Sequence, residues 1–168
     1  MQNITGSLKN KEKISILFVC LGNICRSPAA QGIMQHLVDA EGLSGQFAID
    51  SAGTYGGHAG ELPDKRMRVH AARRGYSLEH RSRPVSESDF YDFDLIVAMD
   101  DSNYDTLRCL SPDTDGQDKV VRMASFCRMH PYYDAVPDPY YEGASGFELV
   151  LDLLEDACRG LLDELSGK

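Results

Sequence analysis

The sequence predicts an α/β protein: a single-domain, doubly wound sheet of about four parallel strands with helices on both faces. Short apolar, β-branched runs alternate with segments whose apolar residues recur at helical spacing. These runs are almost continuously apolar, as is typical of parallel strands buried on both faces. The length of 168 residues, with 42% hydrophobic residues, fits one domain of ordinary globular composition.

The first strand–loop–helix unit follows a polar, aperiodic segment. Residues 1–13 predict a flexible N-terminal tail, and residues 14–168 the folded domain. The run Ile14–Cys20 predicts a buried strand. Ser27 is a preferred N-cap residue and Pro28 suits the first helical turn, so we expect a helix to begin there and to end near Gly42.

The alternation continues along the chain. Further strands are predicted at Phe47–Ser51, Asp94–Met99 and Lys119–Met123, and helices from Asp64 to about Arg74 and from Asp100 to Leu107. A last helix is indicated by an apolar stripe near the C-terminus: Phe147, Val150, Leu151, Leu154, Cys158, Leu161, Leu162 and Leu165. In such sheets ligands bind beyond the carboxyl ends of the strands, where Cys20 lies.

Composition excludes several classes of partner. A net charge of −9 disfavours binding to nucleic acid or to an anionic membrane surface. The longest wholly apolar run, Ile16–Leu21, is too short to span a membrane or to form a secretory signal. Five cysteines are an odd number, which excludes a fully paired disulfide framework. We therefore expect a cytoplasmic protein.

The loop after the first strand predicts a phosphate site. Its residues are Leu21, Gly22, Asn23, Ile24, Cys25 and Arg26. Successive backbone N–H groups of such a loop can form an anion nest, and the following helix N-terminus adds unpaired donors. The planar guanidinium of Arg26 matches two phosphate oxygens. Cys20 would lie at the base of this cradle, where nearby cations and a helix N-terminus favour a nucleophilic thiolate.

Other interpretations of the same residues are weaker. Cys20 could be a core cysteine at a strand end and Arg26 a surface charge, but strand, loop and helix signals agree around them. A zinc half-site of Cys20 and Cys25 lacks a second Cys or His pair at suitable spacing. The G-x-x-x-x-G-K-[ST] string of a nucleotide-binding loop is absent. We expect no metal and no cofactor.

A phosphatase that uses a thiolate also needs an acid. Protonation of a phenolate leaving group helps because the pKa of a phenol is about 10. Asp138 is the best candidate, since Pro137 and Pro139 stiffen its loop and Tyr140 and Tyr141 stand beside it. Asp134 is a rival four residues earlier.

The motifs together resemble those of the low-molecular-weight protein tyrosine phosphatases. Cys20–Pro28 is similar to the family's signature loop and Asp138–Tyr141 to its acid loop. Three further segments fall in the family's order and spacing: Ile49–Gly53, His80–Arg83 and Phe93–Asn103. The resemblance covers nearly the whole chain after the tail, and its two main motifs lie at opposite ends.

The resemblance implies a role for each matching residue. Cys20 would form a cysteinyl-phosphate, Arg26 would bind the phosphoryl oxygens, and Asp138 would act as general acid and then as base. Ser27 would stabilise the thiolate, and the loop would be braced by Asn23, Ser51 and His80. Cys25 matches a cysteine that forms a reversible disulfide with the nucleophile. Apolar walls for the substrate ring would come from Leu21, Ile24, Tyr140 and Tyr141.

The resemblance also implies the ligands: a phosphotyrosine-containing protein or peptide, and inorganic phosphate or other oxyanions. The segment Thr54–Gly60 lies where the family varies its specificity wall, and its glycines predict a thin wall there, to which Tyr55 or His58 could contribute. Two alternatives stay open, an arsenate reductase on the same fold and a phosphotyrosine-binding module without turnover.

Overall fold

The computed structural model describes residues 4–167 and contains one four-stranded parallel sheet. Its strands are β1 (Ile14–Cys20), β2 (Phe47–Gly53), β3 (Leu95–Ala98) and β4 (Val120–Arg122). They lie in the order β2-β1-β3-β4, and each neighbouring pair is parallel. The predicted parallel sheet is confirmed. β2 runs two residues further than predicted, and β4 is shorter because a 3₁₀ turn begins at Met123.

Helices connect and cover the strands. They are α1 (Ile4–Leu8), α2 (Arg26–Ala40), α3 (Lys65–Arg73), α4 (Asp89–Asp92), α5 (Asp101–Leu110), α6 (Thr114–Asp118) and α7 (Ala144–Ser166). Two 3₁₀ turns occupy Ser44–Gln46 and Met123–Phe126. In the part of the chain that the structure describes, no helix combines the length and the apolar content needed to cross a bilayer.

Apolar side chains cover both faces of the sheet. Ile16 and Phe18 of β1 lie in one buried cluster with residues of α2 and α7. Leu17 and Val19 point to the opposite face, because successive side chains of a strand alternate, and lie in a second cluster with residues of α4 and α5. Burial on both faces explains the continuously apolar strands and confirms the predicted helices on both faces.

The C-terminal helix α7 packs closely against the rest of the core. Its predicted apolar stripe is buried, with Leu151, Leu154 and Leu161 among its fully enclosed members. Gly160 meets the backbone of Phe126 so closely that a Cβ atom there would lie 2.0 Å from the carbonyl oxygen. This position therefore admits glycine alone without a backbone shift.

The N-terminal segment differs from the predicted flexible tail. Residues Ile4–Leu8 form α1, which packs on α7, and Leu8 joins the apolar core. A helix of five residues is too short to show a period, so tertiary packing decides it. Lys11 also pairs with Asp94, with 2.6 Å between Nζ and Oδ1. Residues 1–3 of the predicted tail lie outside the described residues.

The first turn of α2 also departs from its prediction. The helix begins at Arg26, so Ser27 lies inside the first turn and is not the N-cap. Its buried hydroxyl faces the sulfur of Cys20 instead. Asp64 does cap α3 as predicted, accepting from the backbone N–H groups of Arg66 and Met67.

The strand order creates a crevice at one end of the sheet. β1 and β3 are neighbours, but the chain leaves β1 toward β2 on one side and leaves β3 toward β4 on the other. At such a switch point the loops diverge and leave room for a ligand. Cys20 ends β1 and Asp100 follows β3, so both lie at this crevice.

Candidate active site

Cys20 lies at the base of a small cavity at the carboxyl end of β1. Its side chain is almost fully buried, and Sγ lies 3.0 Å from Oγ of Ser27 and 3.4 Å from the backbone N of Ser27. The cavity has a volume of about 160 Å³. It is lined by Cys20, Leu21, Gly22, Ile24, Cys25, Arg26, Tyr55, His58, Asp138, Tyr140 and Tyr141.

The carbonyl groups of the loop are turned away from this cavity. Those of Cys20 and Leu21 accept hydrogen bonds from the backbone of Thr54 and Tyr55, and Ile24 accepts from Asp64. The carbonyl of Gly22 accepts from the hydroxyl of Ser82 (2.9 Å). Because C=O and N–H point in opposite directions across a trans peptide, outward carbonyls leave the next N–H groups facing inward. Inward N–H groups are the arrangement that an anion nest requires.

Asn23 holds the shape of the loop from within. It is fully buried and has a positive φ of 56°. Its Nδ2 donates to Oγ of Ser27 (2.7 Å) and Oγ of Ser51 (3.0 Å). Its Oδ1 accepts from the backbone N–H of Arg83 (3.1 Å) and faces Nε2 of His80 (3.0 Å). Asn23, Ser51, His80 and Ser27, singled out from sequence, therefore form one connected cluster.

The cluster directs the Ser27 hydroxyl toward sulfur. Asn23 donates into Oγ of Ser27, so the single hydroxyl hydrogen is free to point elsewhere. The Cys20 sulfur lies 3.0 Å away, nearer than the carbonyl oxygen of Ala52 at 3.4 Å. A hydroxyl and a backbone N–H therefore both point at the Cys20 sulfur.

Arg26 is a buried cation beside the same cavity. One nitrogen, Nη1, donates to Oδ2 of Asp100 (2.7 Å) and to the carbonyl oxygen of Val136 (3.0 Å). Burial alone would lower the pKa of Arg26, but the Cys20 sulfur and the carboxylates of Asp100 and Asp138 raise it above its usual value. Arg26 therefore stays charged and carries a fixed orientation.

Asp138 stands at the mouth of the cavity. Its Oδ2 lies 3.8 Å from Nη2 of Arg26, and its Oδ1 accepts from the backbone N–H of Tyr140 (3.0 Å). The side chain is 45% exposed, so it can exchange protons with water. Asp134, the rival acid, lines a different hollow with Asp101. Of the two candidates, Asp138 lines the cavity above Cys20 and Asp134 lines another.

The residues predicted as substrate walls and the second cysteine all border the cavity above Cys20. Leu21, Ile24, Tyr140 and Tyr141 all line the cavity. Cys25 lines it too, and the structure shows its thiol and that of Cys20 unbonded to each other. Burial, with a smaller contribution from Asp64, raises the pKa of Cys25 far above its usual value, so this thiol is protonated at neutral pH.

Two residues that position the site, Asp100 and Gly53, had no role predicted from the sequence. Asp100 holds Arg26 and also caps α5 through the backbone N–H of Asn103 (2.8 Å). An acidic residue directly after a buried strand was the signal that could have found it. Gly53 lets β2 approach the loop, because a Cβ atom there would lie 2.7 Å from the carbonyl oxygen of Leu21. Among residues 4–167 no cluster of three or more metal-ligating side chains occurs.

Comparison with known proteins agrees with this geometry. The family model described as low molecular weight phosphotyrosine protein phosphatase matches residues 15–168. A low molecular weight protein-tyrosine-phosphatase of Streptomyces coelicolor is 42% identical over 148 residues, covering 88% of this chain and 90% of that protein.

Solved structures give the same result. A protein tyrosine phosphatase from Entamoeba histolytica, with Hepes in its active site, superposes with a TM-score of 0.89 at 44% identity and covers 92% of this chain and 98% of that one. YfkJ from Bacillus subtilis superposes with a TM-score of 0.85 at 38% identity and covers 94% and 98%. The chain belongs to the low molecular weight phosphotyrosine protein phosphatase family.

Proposed function

We propose that this protein hydrolyses phosphotyrosine in proteins and peptides through a cysteinyl-phosphate intermediate. One observation carries the proposal. A buried sulfur, Cys20, lies under an anion nest, with the Ser27 hydroxyl 3.0 Å from it and a charged guanidinium and a carboxyl group at the same cavity.

In the first step the Cys20 thiolate attacks phosphorus. An S–P bond forms while the P–O bond to the phenol breaks, and Asp138 gives its proton to the leaving phenolate oxygen. The inward N–H groups and Arg26 hold the three equatorial oxygens, where charge is carried in the transition state. Asp100 and the Val136 carbonyl keep Arg26 aimed at them.

In the second step water attacks the cysteinyl-phosphate. Asp138, now a carboxylate, takes a proton from the water, the S–P bond breaks, and Cys20 leaves as a thiolate. Inorganic phosphate is released. The hydrogen bonds from Ser27 that favour the attacking thiolate also favour the departing one, so the same contacts serve both steps.

The cavity favours aryl over alkyl substrates. At about 160 Å³ it has room for a phosphoryl group and part of a ring. Leu21, Ile24, Tyr140 and Tyr141 border it and supply apolar and aromatic contacts. A similar structure, at 34% identity and a TM-score of 0.81, is described as an arginine phosphatase from Drosophila, so phosphoarginine belongs in the substrate panel.

The test measures hydrolysis by the purified full chain. In EDTA, wild type should hydrolyse p-nitrophenyl phosphate and a phosphotyrosine peptide, and Cys20→Ser should be inactive. Absence of wild-type activity would refute the proposal. Phosphopeptide binding without phosphate release would support a binding module, and arsenate-dependent oxidation of a thiol donor would support an arsenate reductase.

A second variant tests the acid. Asp138→Asn should lower kcat/KM by roughly 10²- to 10⁴-fold for phenols of high pKa, and by much less for p-nitrophenyl phosphate, whose leaving group needs little protonation. Asp134→Asn is the matched control and should behave as wild type. An equal loss for both leaving groups would remove Asp138 from the role of general acid.

A further inference from the structure

Arg66, in the first turn of α3, lies against the segment that carries Asp138. Its guanidinium carbon, Cζ, lies 5.3 Å from the centroid of the Tyr140 ring. The same carbon lies 4.8 Å from the centroid of the Phe147 ring, in the first turn of α7. Both distances are within the roughly 6 Å at which a cation and an aromatic ring attract each other. Arg66 therefore bridges the segment around Tyr140 and the start of α7.

The guanidinium group of Arg66 is fixed on its other side by Asp64. Nε and Nη2 donate to the two carboxylate oxygens of Asp64, at 3.1 and 3.0 Å, and such a two-pronged contact fixes the orientation of the guanidinium plane. The backbone N–H of Asp64 donates to the carbonyl oxygen of Ile24 (2.7 Å), in the loop after β1. The position of the guanidinium group is thus tied to the loop that follows Cys20.

The base of the Arg66 contact is firmly packed. Phe147 is 1% exposed, and the ring of His70 stacks on it with 5.6 Å between centroids and 5° between planes. His70 lies one turn beyond Arg66 on α3, and its Nδ1 lies 2.5 Å from Oε2 of Glu148. Since Phe147 is held in place, the cation between the two rings restrains the more exposed one, Tyr140.

Tyr140 in turn orients the carboxyl group of Asp138. Its backbone N–H donates to Oδ1 of Asp138 (3.0 Å), and the other oxygen, Oδ2, lies on the side of Arg26. Because Oδ1 accepts this hydrogen bond, Oδ2 is left to carry the acid proton. A displacement of Tyr140 would therefore move the proton donor itself.

The segment 138–142 has few restraints of its own. Within the described chain its hydrogen bonds are local, namely the one from Tyr140 to Asp138 and one from the N–H of Glu142 to the carbonyl oxygen of Pro139 (2.9 Å). Asp138 is 45% exposed. The contact of Arg66 with the Tyr140 ring is thus a restraint that comes from outside the segment.

We propose that Arg66 is a positioning residue for the general acid: it holds the ring of Tyr140 and, through it, the carboxyl group of Asp138 toward the leaving group. This inference rests on the proposed phosphatase function. The residues that line the cavity above Cys20 do not include Arg66, so it acts through Tyr140 and not on the phosphoryl group. A misplaced acid slows only those reactions whose leaving group needs its proton.

The experiment compares two leaving groups. Phenol has a pKa of about 10, so phenyl phosphate needs the acid, whereas p-nitrophenyl phosphate needs little protonation. Arg66→Ala should lower kcat/KM for phenyl phosphate and for a phosphotyrosine peptide by about three- to tenfold, the range of a cation–π contact at a partly exposed site. The value for p-nitrophenyl phosphate and the inhibition constant of inorganic phosphate should both stay within about twofold of wild type.

Arg73→Ala is the matched control. It removes an exposed arginine at the other end of the same helix and should leave kcat/KM unchanged for both leaving groups. A second background tests the route through Asp138. In Asp138→Asn no proton remains to be positioned, so addition of Arg66→Ala should cause no further loss of kcat/KM for phenyl phosphate.

The outcomes distinguish this inference from the function on which it rests. An inactive wild type would refute the phosphatase itself. An active wild type in which Arg66→Ala causes no loss, or an equal loss for both leaving groups, would refute the positioning role alone. A raised inhibition constant of phosphate would make Arg66 a support of the loop after β1, and a further loss in the Asp138→Asn background would show that Arg66 acts by another route; either result would overturn the proposal.

Discussion

Replacement of Asn23 tests which contacts stabilise the loop of residues 21–26 that follows β1. Asn23→Ala removes four hydrogen bonds, to Ser27, Ser51, His80 and Arg83. At about 1 kcal/mol each, these amount to roughly 4 kcal/mol of unfolding free energy. Alanine at a φ of 56° adds about 1 kcal/mol of backbone strain. We therefore expect a loss of about 5 kcal/mol.

Asn23→Gly separates the side chain from the backbone. Glycine loses the same four hydrogen bonds but adopts a positive φ without steric cost. It should be more stable than Asn23→Ala by about 1 kcal/mol, which is about fivefold in the unfolding equilibrium constant. Urea unfolding followed by circular dichroism measures both variants against wild type.

Activity should fall in both variants for a different reason. Without Asn23, nothing directs the hydroxyl hydrogen of Ser27 toward the Cys20 sulfur. The loss of one hydrogen bond to a charged group predicts a fall in kcat/KM of roughly 10- to 100-fold. Ser51→Ala removes two hydrogen bonds, one from Asn23 to Ser51 and one from Ser51 to Gln31, and should cost about 2 kcal/mol of stability and much less activity.

Two results would refute this reasoning. If Asn23→Ala lowered the free energy of unfolding by less than about 1 kcal/mol, the four hydrogen bonds would not stabilise the fold. If Asn23→Gly proved less stable than Asn23→Ala, the positive φ would not be the source of strain at this position.

Three further predictions follow from the core and the site. Burial lowers the pKa of His80 below its ordinary 6.5, so the unfolded chain binds a proton at higher pH than the folded protein does, and the free energy of unfolding should fall as the pH falls below 6.5. His80→Gln should flatten this dependence of the unfolding free energy on pH in urea titrations between about pH 5 and 7. An unchanged dependence would contradict the role of His80. Gly160→Ala should lower the free energy of unfolding, measured by thermal denaturation, by about 1 to 3 kcal/mol. The control Gly45→Ala should lower it by less than about 0.5 kcal/mol. Wild type inactivated by hydrogen peroxide should recover in a thiol reductant, whereas Cys25→Ser should not, since no neighbouring thiol captures the Cys20 sulfenic acid; equal recovery would exclude Cys25 as the partner.

The hydrophobic pattern was enough to predict the sheet, and the loop motif was enough to single out residues that line the cavity above Cys20. Ile14–Cys20 is a run of residues that few other environments accept, and the structure has it as a strand with the same bounds. The C-terminal stripe of α7 was equally clear, because its period extends over several turns. Local sequence decides such elements.

Where sequence reasoning was incomplete, contacts between distant segments decide. From its sequence neighbours alone, Ser27 is predicted to be an N-cap residue. Its hydroxyl instead faces the sulfur of Cys20, a contact that depends on how the loop folds. Leu8 is buried because α7 covers it, and nothing in residues 4–8 indicates that. None of these contacts has a local signal.

The outward carbonyl groups of the loop after β1 limit the transfer of the motif Cys20–Pro28 to another protein. Their donors come from Thr54, Tyr55, Asp64 and Ser82, which are remote from the loop in sequence. A graft of Cys20–Pro28 onto another strand–helix unit would leave those carbonyls without donors, free to turn inward toward the anion. The nine residues are therefore an incomplete unit for protein engineering, and the smallest portable unit extends at least from β1 to Arg83.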